Sequence, residues 1–294
     1  MAKSPFVTKI DAKLSHEIQH DLEEQGFNIS KKPYMLFSAQ KKGLAVHSYE
    51  SGKLVVQGAA MGEFMEFYLE PKLGVFTYTN PHANLDTTAR IGSDESGKGD
   101  FFGPLCVASV FADSASIEKL AQSGIQDSKT LSDKKIEQMC KTIYSLCTVE
   151  SLVLSPLKYN ELYPKFGNLN TMLAWAHATC IDNLLKKAPT ETIIIDKFAH
   201  EGVIKRAFTQ KKIGVAPILR VRAESDVVVA AASIIARGLF VSNMHRLGCI
   251  AGLDIPKGGS AKATGAARQI MDQKGEGALK DFVKMHFKNY RDLL

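Results

Sequence analysis

The sequence predicts an α/β domain in which strands and helices lie in layers, preceded by a small α+β module. Three observations predict it. From residue 89 onward, strand-like and helix-like segments are interleaved, and residues 192–196, "TIIID", are apolar enough for a strand buried on both faces. The first 70 residues instead read as helix, three short strands, helix. Between the two, residues 71–88, "PKLGVFTYTNPHANLDTT", hold two prolines and little periodicity, as a linker would. The expected division is 1–70, 71–88 and 89–294. A chain of 294 residues with 45% hydrophobic content has enough apolar side chains for both cores.

Each element follows from its own pattern. Residues 11–27 place Leu14, Ile18, Leu22 and Phe27 on one helical face. "PYMLFSAQ", "GLAVHSYE" and "KLVVQGAA" follow as a meander, separated by the turn-forming "KKG" and "ESGK". "MGEFMEFYLE" (61–70) reads as a helix ending at Pro71. In the second domain the strands are 89–94, "GPLCVASVFA", 148–154, 192–196 and "PILRVRA" (217–223). Helices are expected at 116–123, 132–146, 168–187, 260–273 and 276–289. "SDVVVAAASIIARGLFVSNMHRL" (225–247) carries three valines that favour a strand. Its length and alanine content favour a helix, and its small residues would let that helix approach the sheet closely.

The formal charge is +6 with a pI near 8.9, compatible with a polyanionic partner. The five cysteines form no CxxC pair, which argues against a zinc cluster or a disulfide framework and suits a reducing cytosol. "MAKSPFVTKI" has no apolar signal-peptide core, and the longest apolar run, "VVVAAASIIA" (227–236), is too short to span a bilayer. A soluble, cytoplasmic protein is expected.

"IGSDESGKGDFFGPL" (91–105) nearly matches a phosphate-binding P-loop, but three features oppose that reading. Gly99 stands where a Mg²⁺-holding hydroxyl is needed. Pro104 and its glycines prevent an immediate helix, whose N-terminus would cradle phosphate. Asp94 and Glu95 lie inside the loop, and each carboxylate set about 4 Å from a phosphate costs roughly 4 kcal/mol at an effective dielectric of about 20. The carboxylates fit a different purpose, which is to hold cations themselves. Asp94 and Glu95 close one strand, and for both to reach one centre that strand must end or bulge at Ser96-Gly97. Asp196 closes the "TIIID" strand, and Glu224 follows "ILRVRA". Four carboxylates delivered by three strand ends need cations, and oxygen ligands point to Mg²⁺ or Mn²⁺. A pair of such ions serves phosphodiester hydrolysis. A lone strand-terminal Asp, by contrast, commonly forms a turn or caps a helix.

Gly97-Lys98-Gly99 offers backbone amides and a cation to a phosphate or sugar edge. Lys129 in "DSKTLS" is a further basic candidate, beside a helix N-cap at Ser132. Lys280, Lys284 and Lys288, spaced by four, would form a basic stripe on the last helix, mainly as a solvated face. His177, His245 and His286 are isolated and receive no role, and Trp175 reads as core.

Taken together, "IGSDESGKGDFFGPL", "DSKTLS", "LNTMLAWAH", "IIIDKFA" and "RAESDVVVAAASIIAR" resemble the type 2 ribonucleases H across most of residues 89–290. The fourth acid, placed in "RAES", and the N-terminal extension are similar to the type 3 branch of that family. The resemblance implies a ribonuclease H fold, a mixed five-stranded sheet flanked by helices, with a small N-terminal domain like the TATA-binding protein that holds substrate. It implies endonucleolytic cleavage of the RNA strand of RNA/DNA hybrids by two metal ions, leaving 5′-phosphate and 3′-hydroxyl ends. Asp94, Glu95, Asp196 and Glu224 match the family's four acids, the first three as metal ligands. Gly97-Lys98-Gly99 matches its nucleic-acid-contacting motif, although other residues are often found at the middle position. Arg222 replaces a common Lys, and no equivalent of the family's junction-sensing tyrosine is evident. A monomer that needs neither membrane nor nucleotide cofactor is expected.

Overall fold

The structure is a computed structural model, and it describes residues 4–75, 78, 85–125 and 131–293. The chain divides into two compact units, Met1–Leu85 and Asp86–Leu294.

In the first unit, β1 (Phe6–Lys9), α1 (Ala12–Glu24), β2 (Asn28–Ser30), β3 (Met35–Lys41), β4 (Leu44–Tyr49) and β5 (Lys53–Gln57) build an antiparallel sheet of order β1-β5-β4-β3-β2. Asp11 caps α1 by accepting from the Leu14 amide at 2.7 Å. Ile18 and Leu22 of α1 then pack on Phe37, Val46, Leu54 and Val56. The expected meander is thus only the centre of the sheet. β1 and β2 flank it as edges of four and three residues, too short for alternation to mark them in sequence. The next helix does not end at Pro71. α2 (Met61–Phe64) widens into a π turn over Met65–Leu69 and resumes as α3 (Glu70–Leu73), capped by left-handed Gly74. In the π turn the Glu70 amide bonds Met65, five residues back, so the helix is already widened where Pro71 brings its ring and lacks an N–H. Residues 76–77 and 79–84 of the expected linker lie outside the described residues.

The second unit is built on β6 (Arg90–Ser96), β7 (Leu105–Ala112), β8 (Thr148–Leu154), β9 (Ile193–Asp196) and β10 (Ile218–Arg220), in the order β10-β9-β6-β7-β8. β6, β7 and β8 pair antiparallel, whereas β9 and β10 join β6 in parallel, so the sheet is mixed. Helices α4 (Ser114–Gln122), α5 (Asp133–Leu146), α6 (Pro156–Phe166), α7 (Leu169–Lys187), α8 (Glu201–Gln210), α9 (Val227–Ala251), α10 (Ala261–Lys274) and α11 (Lys288–Arg291) surround it. Alternation along the central strands assigns their faces. Ile91, Ile193 and Ile195 pack with Ala174 and Ala178 of α7, while Ile194 packs with Val229 of α9. Gly92 turns toward α9, where a Cβ would stand 2.5 Å from the Val228 backbone. That close approach requires glycine. Among the described residues all five thiols are free.

α9 is a helix despite its three valines, and at 25 residues it is long and apolar enough to cross a membrane. In this fold it is instead a core helix, packed against β6, β7 and α5. α6 and α8 lie where no helix was read. The expected helix 276–289 is a 3-10 turn over Glu276–Asp281, an irregular stretch and then α11. Lys280, Lys284 and Lys288 therefore share no helical face. Lys284 is fully buried and donates to the carbonyls of Asp100 (2.8 Å), Gly103 (2.8 Å) and Phe102 (3.4 Å). Burial pulls its ammonium down to about 7.

Candidate active site

Three chain segments meet at the carboxyl end of β9. β6 and β9 run in parallel with Ser93 beside Ile195, so Asp94 and Asp196 are the next residues on adjacent strands. β9 stops at Asp196, leaving the β6 edge without a strand on that side beyond this point. Past β10, Arg222 takes the left-handed conformation (φ 56°) and starts a 3-10 turn over Ala223–Ser225 that carries Glu224. The turn is tied back to the acids, because Ala223 N–H donates to Asp196 Oδ1 at 2.9 Å.

Asp94 and Glu95 do not sit at a strand end or bulge. β6 keeps its register with β7 through Ser96, opposite Cys106. The two side chains accordingly leave opposite faces. Asp94 points toward α9, where Ser233 hydrogen-bonds it, and its Oδ1 also accepts from the Glu95 amide at 2.7 Å. Glu95 points toward α7, with Oε2 3.2 Å from His177 Nε2 and Oε1 3.7 Å from Lys98 Nζ. Burial, the Glu95 carboxylate and then Asp196 raise the Asp94 carboxyl to about 7, while the bonds to Ser233 and the Glu95 amide oppose that rise. Asp94, Glu95 and Asp196 thus share one electrostatic neighbourhood. Glu224 is half-buried on its turn, and among the described residues its carboxylate has no hydrogen-bond or ion-pair partner. Nor, among the described residues, do three acid, His or Cys side chains close into a ring around one point.

The glycines beside the acids divide the work. Gly97 has φ 86°, and a Cβ there would lie 2.2 Å from the Pro104 carbonyl oxygen, so its role is a tight turn. Gly99 has nothing within 4 Å of an added Cβ and leaves the backbone open to a ligand. Between them Lys98 lies over the Phe198 ring, 5.6 Å from its centroid. Lys129 falls outside the described residues. Two contributors escaped the sequence reading. His177 is fully buried against Glu95. Asp226 caps α9 and forms a buried 2.8 Å pair with Arg90. A histidine set between two alanines of a helical stretch carries no local signal. "ESD" before a valine run, however, is a legible N-cap.

Comparison with known proteins places this arrangement. The family model described as Ribonuclease HII matches residues 91–290, and one described as a domain of unknown function (DUF3378) matches residues 5–75. Ribonuclease HIII of Protochlamydia amoebophila is 45% identical over 99% of this chain and 97% of its own. That of Chlamydia felis is 44% identical with the same coverage. The chain belongs to the ribonuclease HIII branch of the ribonuclease HII family. It is a ribonuclease H, an endonuclease that hydrolyses the RNA strand of RNA/DNA hybrids. Two solved ribonucleases HIII share the fold. The crystal structure of Bst-RNase HIII in complex with Mn²⁺ has a TM-score of 0.68 at 30% identity, covering 99% of this chain and 98% of that one. RNase H3 of Aquifex aeolicus has a TM-score of 0.59 at 27% identity, covering 96% and 100%. In this chain the mixed sheet carries Asp94, Glu95 and Asp196 on neighbouring strands.

Proposed function

We propose that Asp94, Glu95, Asp196 and Glu224 are the acids that cut the RNA strand, holding Mg²⁺ or Mn²⁺ between them. The observation that carries this reading is the parallel register of β6 and β9, which sets Asp94 beside Asp196 on neighbouring strands. Burial first, then the Glu95 carboxylate and last Asp196 raise the Asp94 carboxyl, and a divalent cation relieves the repulsion among these acids. The donors are all hard oxygens, suited to Mg²⁺ and Mn²⁺, and a similar protein was crystallised with Mn²⁺. Such ions supply Lewis acidity at a scissile phosphodiester and charge for its leaving oxygen.

The chain's own residues then position substrate. Gly99 gives a phosphate access to backbone amides, and Lys98 adds positive charge beside Glu95. Glu224, on its strained turn, is a free carboxylate able to swing onto the shared centre. Lys129 is a further phosphate contact in this reading. The first unit, as a TATA-binding-protein-like domain, holds the hybrid on the sheet face opposite α1, where Ala45, His47, Tyr49 and Val55 stay half-buried. The enzyme acts as a cytoplasmic monomer away from membranes, leaving 5′-phosphate and 3′-hydroxyl ends. Asp94→Asn tests the assignment on an end-labelled RNA/DNA hybrid in Mg²⁺ and in Mn²⁺. Cleavage is expected to vanish in both while the protein stays folded and binds the hybrid. Undiminished turnover would remove Asp94 from the chemistry.

A further inference from the structure

The acid set has a buried support that the reaction itself does not explain. His177, on α7, is completely inaccessible to solvent. Its Nε2 lies 3.2 Å from Glu95 Oε2, and its Nδ1 lies 2.7 Å from Ser93 Oγ. The Ser93 hydroxyl lies in turn 2.8 Å from Ser109 Oγ and 3.0 Å from the Ala108 carbonyl oxygen. The imidazole is stacked on Phe198, with 4.8 Å between centroids and 13° between planes. Phe198 also supports Lys98. Both nitrogens and one face of the ring are therefore fixed by the fold.

We propose that His177 is a positioning residue that fixes the Glu95 carboxylate by donating Nε2–H to it, with Nδ1 held as an acceptor by the Ser93 hydroxyl. Proton counting singles out this pattern. Glu95 as an ionised ligand only accepts, so the ring nitrogen facing it must donate. A neutral ring then has a lone pair at Nδ1, and the serine is the hydroxyl placed to donate there. Ser93 has one proton, which this pattern directs to Nδ1 at 2.7 Å in preference to the Ala108 carbonyl oxygen at 3.0 Å, and Ser109 donates to Ser93. The opposite tautomer would aim a lone pair at a carboxylate. The residue touches neither substrate nor scissile phosphate. It acts by holding Oε2 of Glu95 while Oε1 lies 3.7 Å from Lys98 Nζ, as hydrogen bonds orient ligating groups in other metal sites. Positions 93, 95 and 177 were not linked by any motif. They meet because residues 93 and 95 leave β6 on the face that α7 covers.

The inference rests on Glu95 acting as proposed above, and the test separates the two. His177→Phe keeps the ring volume and the stacking on Phe198 but removes the donor. His177→Gln restores an N–H near Nε2. In His177→Phe, kcat on the hybrid is expected to fall about 10- to 100-fold with KM for the hybrid unchanged. The Mn²⁺ concentration that gives half of the thermal shift should rise. His177→Gln should recover most of both. Nitrogen-15 spectra of the metal-free wild-type protein should show the buried ring protonated at Nε2 alone. That measurement needs no variant to fold, and Ser93→Ala should shift the same resonances. A kcat in His177→Phe equal to that of the wild type, or a ring protonated at Nδ1 alone, overturns the proposal. If Glu95→Gln itself cleaves normally, the underlying reading of Glu95 fails instead.

Discussion

At the scale of single residues, burial and neighbours decide which charges the fold tolerates. Asp94 has a folded pKa of about 7, against 3.8 for an ordinary aspartate. A raised carboxyl contributes stability that is present in full below pH 3.8 and is lost as pH rises through 7. Metal-free protein should therefore lose stability between pH 4 and 7 through this residue. In EDTA, Asp94→Asn should melt higher than the wild type at pH 8, with the gap shrinking toward pH 5. Lys284 has the opposite shift for a base, falling from 10.5 to about 7. Its contribution is complete above pH 10.5 and disappears as pH falls through 7. Lys284→Met leaves the carbonyls of Asp100, Phe102 and Gly103 without their donor. It should cost about 1–3 kcal/mol in urea unfolding, with a deficit that widens from pH 7 to 10. The lysine was legible as a residue but not as a buried one, because spacing by four suggested a helical stripe. Only tertiary contacts put it under the loop after Gly99. Asp196 was the reverse case, since it closes β9 as the strand-closing text indicates, and Glu224 follows β10.

At the scale of elements, α9 is held by one glycine and one cap. Asp226 accepts from the Val228 (2.9 Å) and Val229 (3.3 Å) amides and also pairs with buried Arg90. Asp226→Ala thus removes a cap and strands a buried guanidinium, for an expected loss of about 3–5 kcal/mol in chemical denaturation. Gly92→Ala pushes a methyl into the Val228 backbone. That variant should yield little folded protein, judged by a cooperative melt, because backbone on both sides leaves nothing flexible to yield. Central elements were readable, since β7, α7 and α9 carry long apolar patterns. The missed pieces share a physical cause. β1 and β2 are edge strands of four and three residues, too short for alternation to show, and β1 pairs with β5, where Val56 faces Phe6. α6 contains Pro164, which masks its helical text. β6 does end at Ser96, but its regular register through Asp94 and Glu95, which sends the two acids to opposite faces, was not readable from the glycine turn beside them.

At the scale of the whole molecule, each unit has a core of its own. Ile18, Phe37, Leu54 and Met65 centre the first, whereas the second has separate clusters on each face of its sheet. A fragment of residues 86–294 should therefore melt cooperatively. If the first unit holds the hybrid, that fragment should keep kcat and show a higher KM, read on one labelled duplex. The sequence changes character at residue 89, after the proline-bearing stretch 71–88, and the chain's two compact units are Met1–Leu85 and Asp86–Leu294. The exact extent of the first unit was not legible, because α3 runs on through a proline. The mixed sheet has a temporal side as well. β6 pairs with β7, the next strand in sequence, but its other partner β9 is made about a hundred residues later and Glu224 later still. A chain emerging from the ribosome thus presents Asp94 and Glu95 before Asp196 and Glu224 exist. Synthesis order leaves the acid set incomplete until β10 has docked on β9 and the turn that follows it has been made.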